Sequence, residues 1–267
     1  MDWLLSGKAA ILGILEGLTE FLPVSSTGHL IVVGDLLNFT GEQAKTFEIV
    51  IQLGAILAIV WHYRDKVLTV ARGLGRDAGA NKFAANLLIA FFPAAVLGLL
   101  FHSVIKEKLF NPVTVAIALV VGGILILVIE RIKPTPRINT VDELSWKDAL
   151  KLGFAQSLAL FPGVSRSGAT IMGGLMFGLS RTAATEFSFF VAIPTMFAAT
   201  GYDLLKNMSS LHSADFGYFA VGFICAFISA SAVVKMLLHY VAKHDFSIFA
   251  YYRILFGGIV LWWHFYG

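Results

Sequence analysis

The chain has 267 residues, of which 57% are hydrophobic and only 14% are charged, against roughly 25% charged in an ordinary soluble domain. The net charge of +3 comes from short basic clusters between apolar runs, and there is a single cysteine, Cys225. These features exclude a water-soluble globular protein, a nucleic-acid-binding surface and an internal disulfide, and they predict an all-α polytopic membrane protein.

The N-terminus lacks a basic leader region, and its first apolar stretch contains Glu16 and Glu20. It is therefore expected to remain as the first helix and not to be a cleaved signal peptide. That helix is predicted over residues 2–22 and is ended by Pro23; a short second helix is predicted over 29–37, after Gly28. Together they are too short, and too polar at the turn, for two crossings of about 20 residues each. The pair reads as a re-entrant helix–loop–helix. Spans follow at 44–63, at 83–101 with Pro93 as a kink, and at 112–129 with Pro112 in the first turn. A polar linker, 131–140, holds Pro134 and Pro136 and marks the midpoint. The second half starts with an amphipathic helix over 146–161, breaks at 162–170, and resumes as a short Gly-rich helix over 171–179. Three more spans are predicted at 186–205, 216–238 and 248–265.

Shifting the chain by 140 residues aligns the halves at their helix breaks. Asp2 meets Asp142, Gly13 meets Gly153, Glu16 meets Gln156, Phe21 meets Phe161, and Val24-Ser25 meets Val164-Ser165. Gly28 then meets Gly168, and Phe47 meets Phe187. This predicts internal repeats over 1–130 and 141–267, each with one re-entrant pair and three spans. Three crossings place the second repeat on the opposite face, so the repeats are inverted and their broken loops can meet near the midplane. Lys and Arg concentrate in the loop after the first span (Arg64, Lys66, Arg72, Arg76, Lys82) and in the midpoint region (Arg131, Lys133, Arg137, Lys147). The other face shows Lys106, Lys108 and Lys206. The richer face is expected in the cytoplasm, which puts the first re-entrant loop on the outer side.

The first break reads EGLTEFLPVSSTGH over 16–29 and the second PGVSRSGAT over 162–170. Two carboxylates four residues apart share a helix face. Each charge costs about 2.5–3.5 kcal/mol on insertion scales, so such a helix marks a functional site. Arg166 offers a planar fork suited to phosphate oxygens. Glu16 and Glu20 can act as base or hold a divalent cation, and a Ser or His beside a carboxylate can be a nucleophile. The set suits phosphoryl transfer from a lipid-anchored phosphate.

These two motifs, together with Glu48 to Gln52 and the Glu186-Phe187-Ser188-Phe189 stretch, resemble the bacterial undecaprenyl-diphosphate phosphatase family linked to bacitracin resistance. The resemblance covers essentially the whole chain, and neither motif departs from the family's pattern. It implies an integral enzyme of the bacterial inner (plasma) membrane that hydrolyses undecaprenyl diphosphate, a polyprenyl diphosphate lipid, and recycles the carrier of cell-wall synthesis. It also implies a divalent cation, Mg2+ or Ca2+; Glu16 and Glu20 are its candidate ligands, with Glu16 orienting either the metal or the loop, and the Lys and Arg distribution predicts a site open to the periplasmic face. Carried over residue by residue, Ser26 is the preferred nucleophile, activated by Glu20. His29 is the rival nucleophile or a proton donor, and Arg166 neutralises charge on the transferred group. The substrate-binding set is Glu16, Ser25, Thr27, Ser165, Ser167, Thr170 and, on the next span, Gln52. A homodimer is one assembly left open. The competing function is an inverted-repeat transporter or lipid flippase using the same midplane site.

Plainer readings stand beside these. Ser25 and Ser165 can cap half-helices. Lone hydroxyls such as Ser229 bond backbone carbonyls, and Gly173-Gly174 permits close helix packing. Tyr251, Tyr252, Trp262 and Trp263 read as interfacial belt aromatics. Glu48 and Gln52 either support the site or bond between helices.

Overall fold

Six helices are long and apolar enough to cross a membrane in the computed structural model, which describes residues 3–109, 111–132, 135–207 and 216–266. Asp2, Lys133, Pro134 and His212 lie outside the described residues, as do the side chains of Lys106, Lys108 and Lys206. Among the described residues the chain is helical, with one isolated parallel bridge between Ile138 and Leu179. In chain order the helices are α1 (Trp3–Thr19), α2 (Ser26–Leu36), α3 (Glu42–His62), α4 (Arg64–Gly73), α5 (Ala78–Lys108) and α6 (Pro112–Ile132). The second half supplies α7 (Trp146–Ser157), α8 (Arg166–Met176), α9 (Arg181–Asn207), α10 (Phe216–Val241) and α11 (Ser247–Tyr266).

The spans fall where the apolar runs predict them, and the differences have local causes. Helix α5 starts at Ala78, five residues earlier than expected, because Asp77 Oδ1 accepts the Ala80 amide at 2.6 Å and caps the end. Helix α9 starts at Arg181 for the same reason, with Ser180 Oγ accepting from the Ala183 amide at 3.2 Å. Helix α4 lies inside the basic loop and is not foreseen. None of its residues is buried, and Leu68 is exposed beside Arg64 and Lys66, the pattern of a helix lying in a membrane interface.

Helices α1, α2, α7 and α8 have 17, 11, 12 and 11 residues. At about 1.5 Å per residue none reaches the roughly 30 Å of a hydrocarbon core. Each half therefore holds one pair of half-helices and three spans. The packing partners exchange between the halves: α1 lies along α10 and α7 along α5, while α3 meets α9 and α6 meets α11. This pairing is compatible with two repeats related by a two-fold.

Glycine makes the exchanged contacts close. A Cβ at Gly13 would run into the Gly222 carbonyl, and one at Gly17 into Ser229 Oγ and the Ala226 carbonyl, so α1 presses its backbone onto α10. Gly153 does the same for α7 against Ala90 of α5. Gly173 and Gly174 meet Ala155 and Ala184, which accords with their reading as packing residues. Gly17→Leu is therefore expected to lift α1, with Glu16 and Glu20, off α10. Overpacking costs about 1–3 kcal/mol even where side chains can yield, and here backbone stands in the way. A clear drop in melting temperature in detergent is the expected result. Gly7→Ala, which points into open space, should leave it unchanged.

The basic loop and the midpoint region share a face. Lys66 Nζ pairs with Asp142 at 2.7 Å, Lys82 donates to the Asp142 carbonyl at 2.8 Å, and Asn86 to the Leu144 carbonyl at 2.9 Å. Glu130 pairs with Arg181 and accepts the Phe246 amide at 3.0 Å, tying α6, α9 and the start of α11. Ser145 and Asp148 form a capping box at the start of α7, and Arg137 pairs with Asp148. Burial pushes the Asp148 carboxyl up, but the bonds from Arg137 and Ser145 outweigh it and hold the group below its ordinary value.

Candidate active site

The two helix breaks meet. Helix α1 stops at Thr19, earlier than Pro23 alone predicts, and residues 20–25 form the turn. Ser25 takes φ 70°, and helix α2 then starts at Ser26, not at His29. The second break repeats this: Ser165 takes φ 76°, and α8 starts at Arg166, ahead of the expected Ile171. Left-handed φ is uncommon for residues other than glycine and costs about 1–3 kcal/mol unless the surroundings hold it. Its effect is to move the motif side chains out of loops and into the first turns of two half-helices. Ser165 caps its helix, with Oγ accepting the Gly168 amide at 3.1 Å; Ser25 makes no such bond.

Ser26, Glu20 and Arg166 form one chain. Ser26 Oγ donates to Glu20 Oε2 at 2.5 Å, and Arg166 Nη2 faces Glu20 Oε1 at 3.4 Å. Arg166 Nη1 donates to the Ser188 carbonyl at 2.7 Å, and the guanidinium lies 5.9 Å from the centre of the Phe21 ring. The first break thus supplies hydroxyl and carboxylate, the second supplies the cation, and α9 aims that cation. Glu16, one turn before Glu20, is 1% exposed and within electrostatic reach of Glu20, Glu48 and Arg166. Two buried atoms here have no partner among the described residues, Glu16 Oε2 and Arg166 Nε. An unsatisfied buried polar atom costs about 1–3 kcal/mol, so such a pair is what a bound ionic ligand would relieve.

His29 is held on all sides. Nδ1 lies 2.7 Å from the Ser25 carbonyl, which can only accept, so Nδ1 carries the proton. In the neutral ring Nε2 then accepts from Tyr252 Oη at 2.6 Å. The ring stacks on Phe256 at 4.3 Å and on Tyr252 at 5.6 Å. The lone pair of His29 is thus engaged, while Ser26 has a carboxylate on its hydroxyl. Tyr252, read from sequence as a belt aromatic, touches the site.

The remaining hydroxyls mostly build the frame. Ser167 donates to the Leu22 carbonyl at 2.8 Å and so joins the two breaks, and Ser165 Oγ lies 3.0 Å from Ser167 Oγ. Thr170 donates to the Arg166 carbonyl at 2.9 Å, inside α8. Thr27 is half-buried in the first turn of α2, and Gln52 is half-buried on α3, one turn beyond Glu48. Among the described residues no side-chain hydrogen bond or ion pair joins Thr27 or Gln52 to Ser26, Glu20 or Arg166.

Arg253 is the principal residue missing from the sequence reading. It sits on α11, is 1% exposed, and donates to five carbonyls: Pro23 at 3.1 Å, Gly163 at 2.9 Å, Val164 at 2.9 Å, Ala118 at 3.1 Å and Leu119 at 3.2 Å. It fastens both breaks to α6, and Gly122 leaves the space for its guanidinium. The signal was present, because an arginine in the apolar run 248–265 is costly in a bilayer and needs partners.

Among the described residues no group of three or more His, Cys, Asp or Glu can enclose a metal ion. Glu16 and Glu20 fit the other common arrangement, in which one or two carboxylates share a cation with substrate phosphates.

A family model described as bacitracin resistance protein BacA matches residues 9–259. A relative from Nitrosospira multiformis, named undecaprenyl-diphosphatase, is 62% identical over 261 residues, covering 98% of this chain and 96% of its own. One from Aromatoleum aromaticum with the same name is 59% identical over 98% of this chain and 95% of its own. One from Rhodospirillum rubrum, named undecaprenyl-diphosphatase 2, is 58% identical over 98% and 96%.

Proposed function

The chain belongs to the family of the bacitracin resistance protein BacA, and from that premise we propose that it hydrolyses undecaprenyl diphosphate to undecaprenyl phosphate and inorganic phosphate. The observation that carries the reading is the Ser26–Glu20–Arg166 chain across the two helix breaks. Relatives named for the activity at about 60% identity support it.

In the proposed reaction Ser26 Oγ attacks the terminal phosphorus while Glu20 takes its proton. The bond from that phosphorus to the bridging oxygen breaks, and undecaprenyl phosphate leaves with the electron pair. Arg166 neutralises charge on the equatorial oxygens, the largest single contribution in such sites. Glu20 gives up its first proton to the departing phosphate. It then takes one from the water that attacks the phosphoserine and passes it to Ser26 Oγ as the bond from phosphorus to that oxygen breaks, so inorganic phosphate leaves, the Ser26 hydroxyl is restored and Glu20 is again a carboxylate. The Nε2 lone pair of His29 is free to attack phosphorus, or to take up a proton, only when Tyr252 gives way, so His29 is not the first nucleophile in this scheme. A divalent cation, Mg2+ or Ca2+, belongs to the proposal: Glu16, with its unpaired Oε2, and Glu20 would hold it, and it would supply charge withdrawal from the diphosphate.

The repeats 1–130 and 141–267 are read as inverted, which brings the breaks together from opposite faces. The positive-inside rule puts the Lys66 and Arg137 face in the cytoplasm, and so the site opens to the periplasmic face of the inner membrane.

Purified protein in detergent is expected to release phosphate from undecaprenyl diphosphate and to lose that activity with chelator. Glu16→Gln should shift the cation titration to higher concentration. Folded wild-type protein that binds the lipid but releases no phosphate would instead point to transport.

A further inference from the structure

An apolar groove of about 260 Å3 opens beside the site, between the end of α1 and the start of α11. These helices have their main partners elsewhere, α1 on α10 and α11 on α6, which leaves the gap between them. Leu18, Leu22 and Val24 form one wall; Ile248, Phe249 and Tyr252 form the other. Leu18 is 40% and Ile248 59% exposed, so in a membrane the outer end faces lipid tails. The inner end is the site itself. Tyr252 lines the groove while its hydroxyl lies 2.6 Å from His29 Nε2, and Val24 precedes Ser25 of the strained turn. One side chain thus marks where apolar wall becomes polar site.

We infer that this groove seats the first isoprene units of the prenyl diphosphate, with Tyr252 at the junction of chain and headgroup. The inference rests on the proposed hydrolase reading and adds where the chain leaves the site. Size supports it: the groove is slightly smaller than the roughly 300–1,000 Å3 of ordinary ligand pockets, room for the start of a long chain whose remainder stays in the bilayer. The absence of polar side chains other than Thr19 and the Tyr252 hydroxyl fits a hydrocarbon occupant.

The test fills the groove from a side chain with no polar contact. Leu18→Trp, with Ile248→Trp from the opposite wall as a second variant, is compared with wild type on farnesyl and undecaprenyl diphosphates. Inorganic pyrophosphate serves as a competitive inhibitor that has no chain. The expected result is a KM about tenfold or more higher for both prenyl substrates, with the pyrophosphate inhibition constant unchanged. Unchanged KM values in either folded variant would overturn the inference and leave the groove to ordinary bilayer lipid. Direct binding of farnesyl diphosphate is measured in parallel. Wild-type protein that binds it but releases no phosphate overturns the hydrolase reading alone, and weaker binding in the tryptophan variants then still supports the groove.

Discussion

Ser26→Ala is expected to reduce phosphate release by on the order of 10^3-fold or more, the scale on which an enzyme loses its nucleophile. The hydroxyl is the group through which Glu20 reaches the substrate, since the carboxylate's other oxygen faces Arg166. Glu20→Gln keeps the shape and removes the base, and should cost roughly 10^2–10^4-fold. Arg166→Lys should not rescue Arg166→Ala. Its single ammonium cannot face Glu20 and the Ser188 carbonyl as the guanidinium fork does. The decisive measurement uses substrate labelled in the terminal phosphate and quenched in acid during turnover. Acid-stable label on Ser26 is the expected outcome. Label that is lost in acid but survives in base, and that vanishes in His29→Ala, would give the nucleophile's role to His29.

The half-helices and their meeting were legible because Pro23 and the Pro162-Gly163 break interrupt apolar runs that carry costly charges. Two motifs in register showed that the interruptions belong together. The restart of α2 and α8 was not legible. Nothing in Ser25 or Ser165 announces left-handed φ, which is held by long-range partners such as Arg253 on the Pro23 and Val164 carbonyls. Roles set by contacts between distant segments were also hidden. His29 and Tyr252 lie 223 residues apart, so the position of Tyr252 near a span end pointed to a belt aromatic and not to the site. Ser165 and Ser167 illustrate the converse. As hydroxyls in a polar loop they look like substrate ligands, yet in the fold they cap α8 and bond across to Leu22.

Arg253 is where the largest effect on the assembled protein is expected. Arg253→Met keeps most of the volume but leaves the buried carbonyls of Pro23, Gly163 and Val164, which lie outside any helix, without their donor, whereas those of Ala118 and Leu119 keep their bonds inside α6. Each can cost about 1–3 kcal/mol, and even a part of the sum is large against a total stability of roughly 5–15 kcal/mol. The variant should therefore melt far below wild type or fail to accumulate. Arg253→Lys separates anchoring from folding. An ammonium has three donors and no rigid fork, so it can hold some of the five carbonyls but not both breaks and α6 together. The expected protein is folded, with phosphate release down about 10^2-fold, because a misplacement of about 1 Å between Ser26 and Arg166 is enough for that loss. Charge alone predicts otherwise: if Arg253 served only to attract the anionic headgroup, lysine would restore activity and the KM would recover with it. An Arg253→Lys variant with normal turnover would therefore remove Arg253 from the positioning of the site. A slow but folded one would mean that the geometry of two loops 140 residues apart is set by a residue that need never touch the substrate.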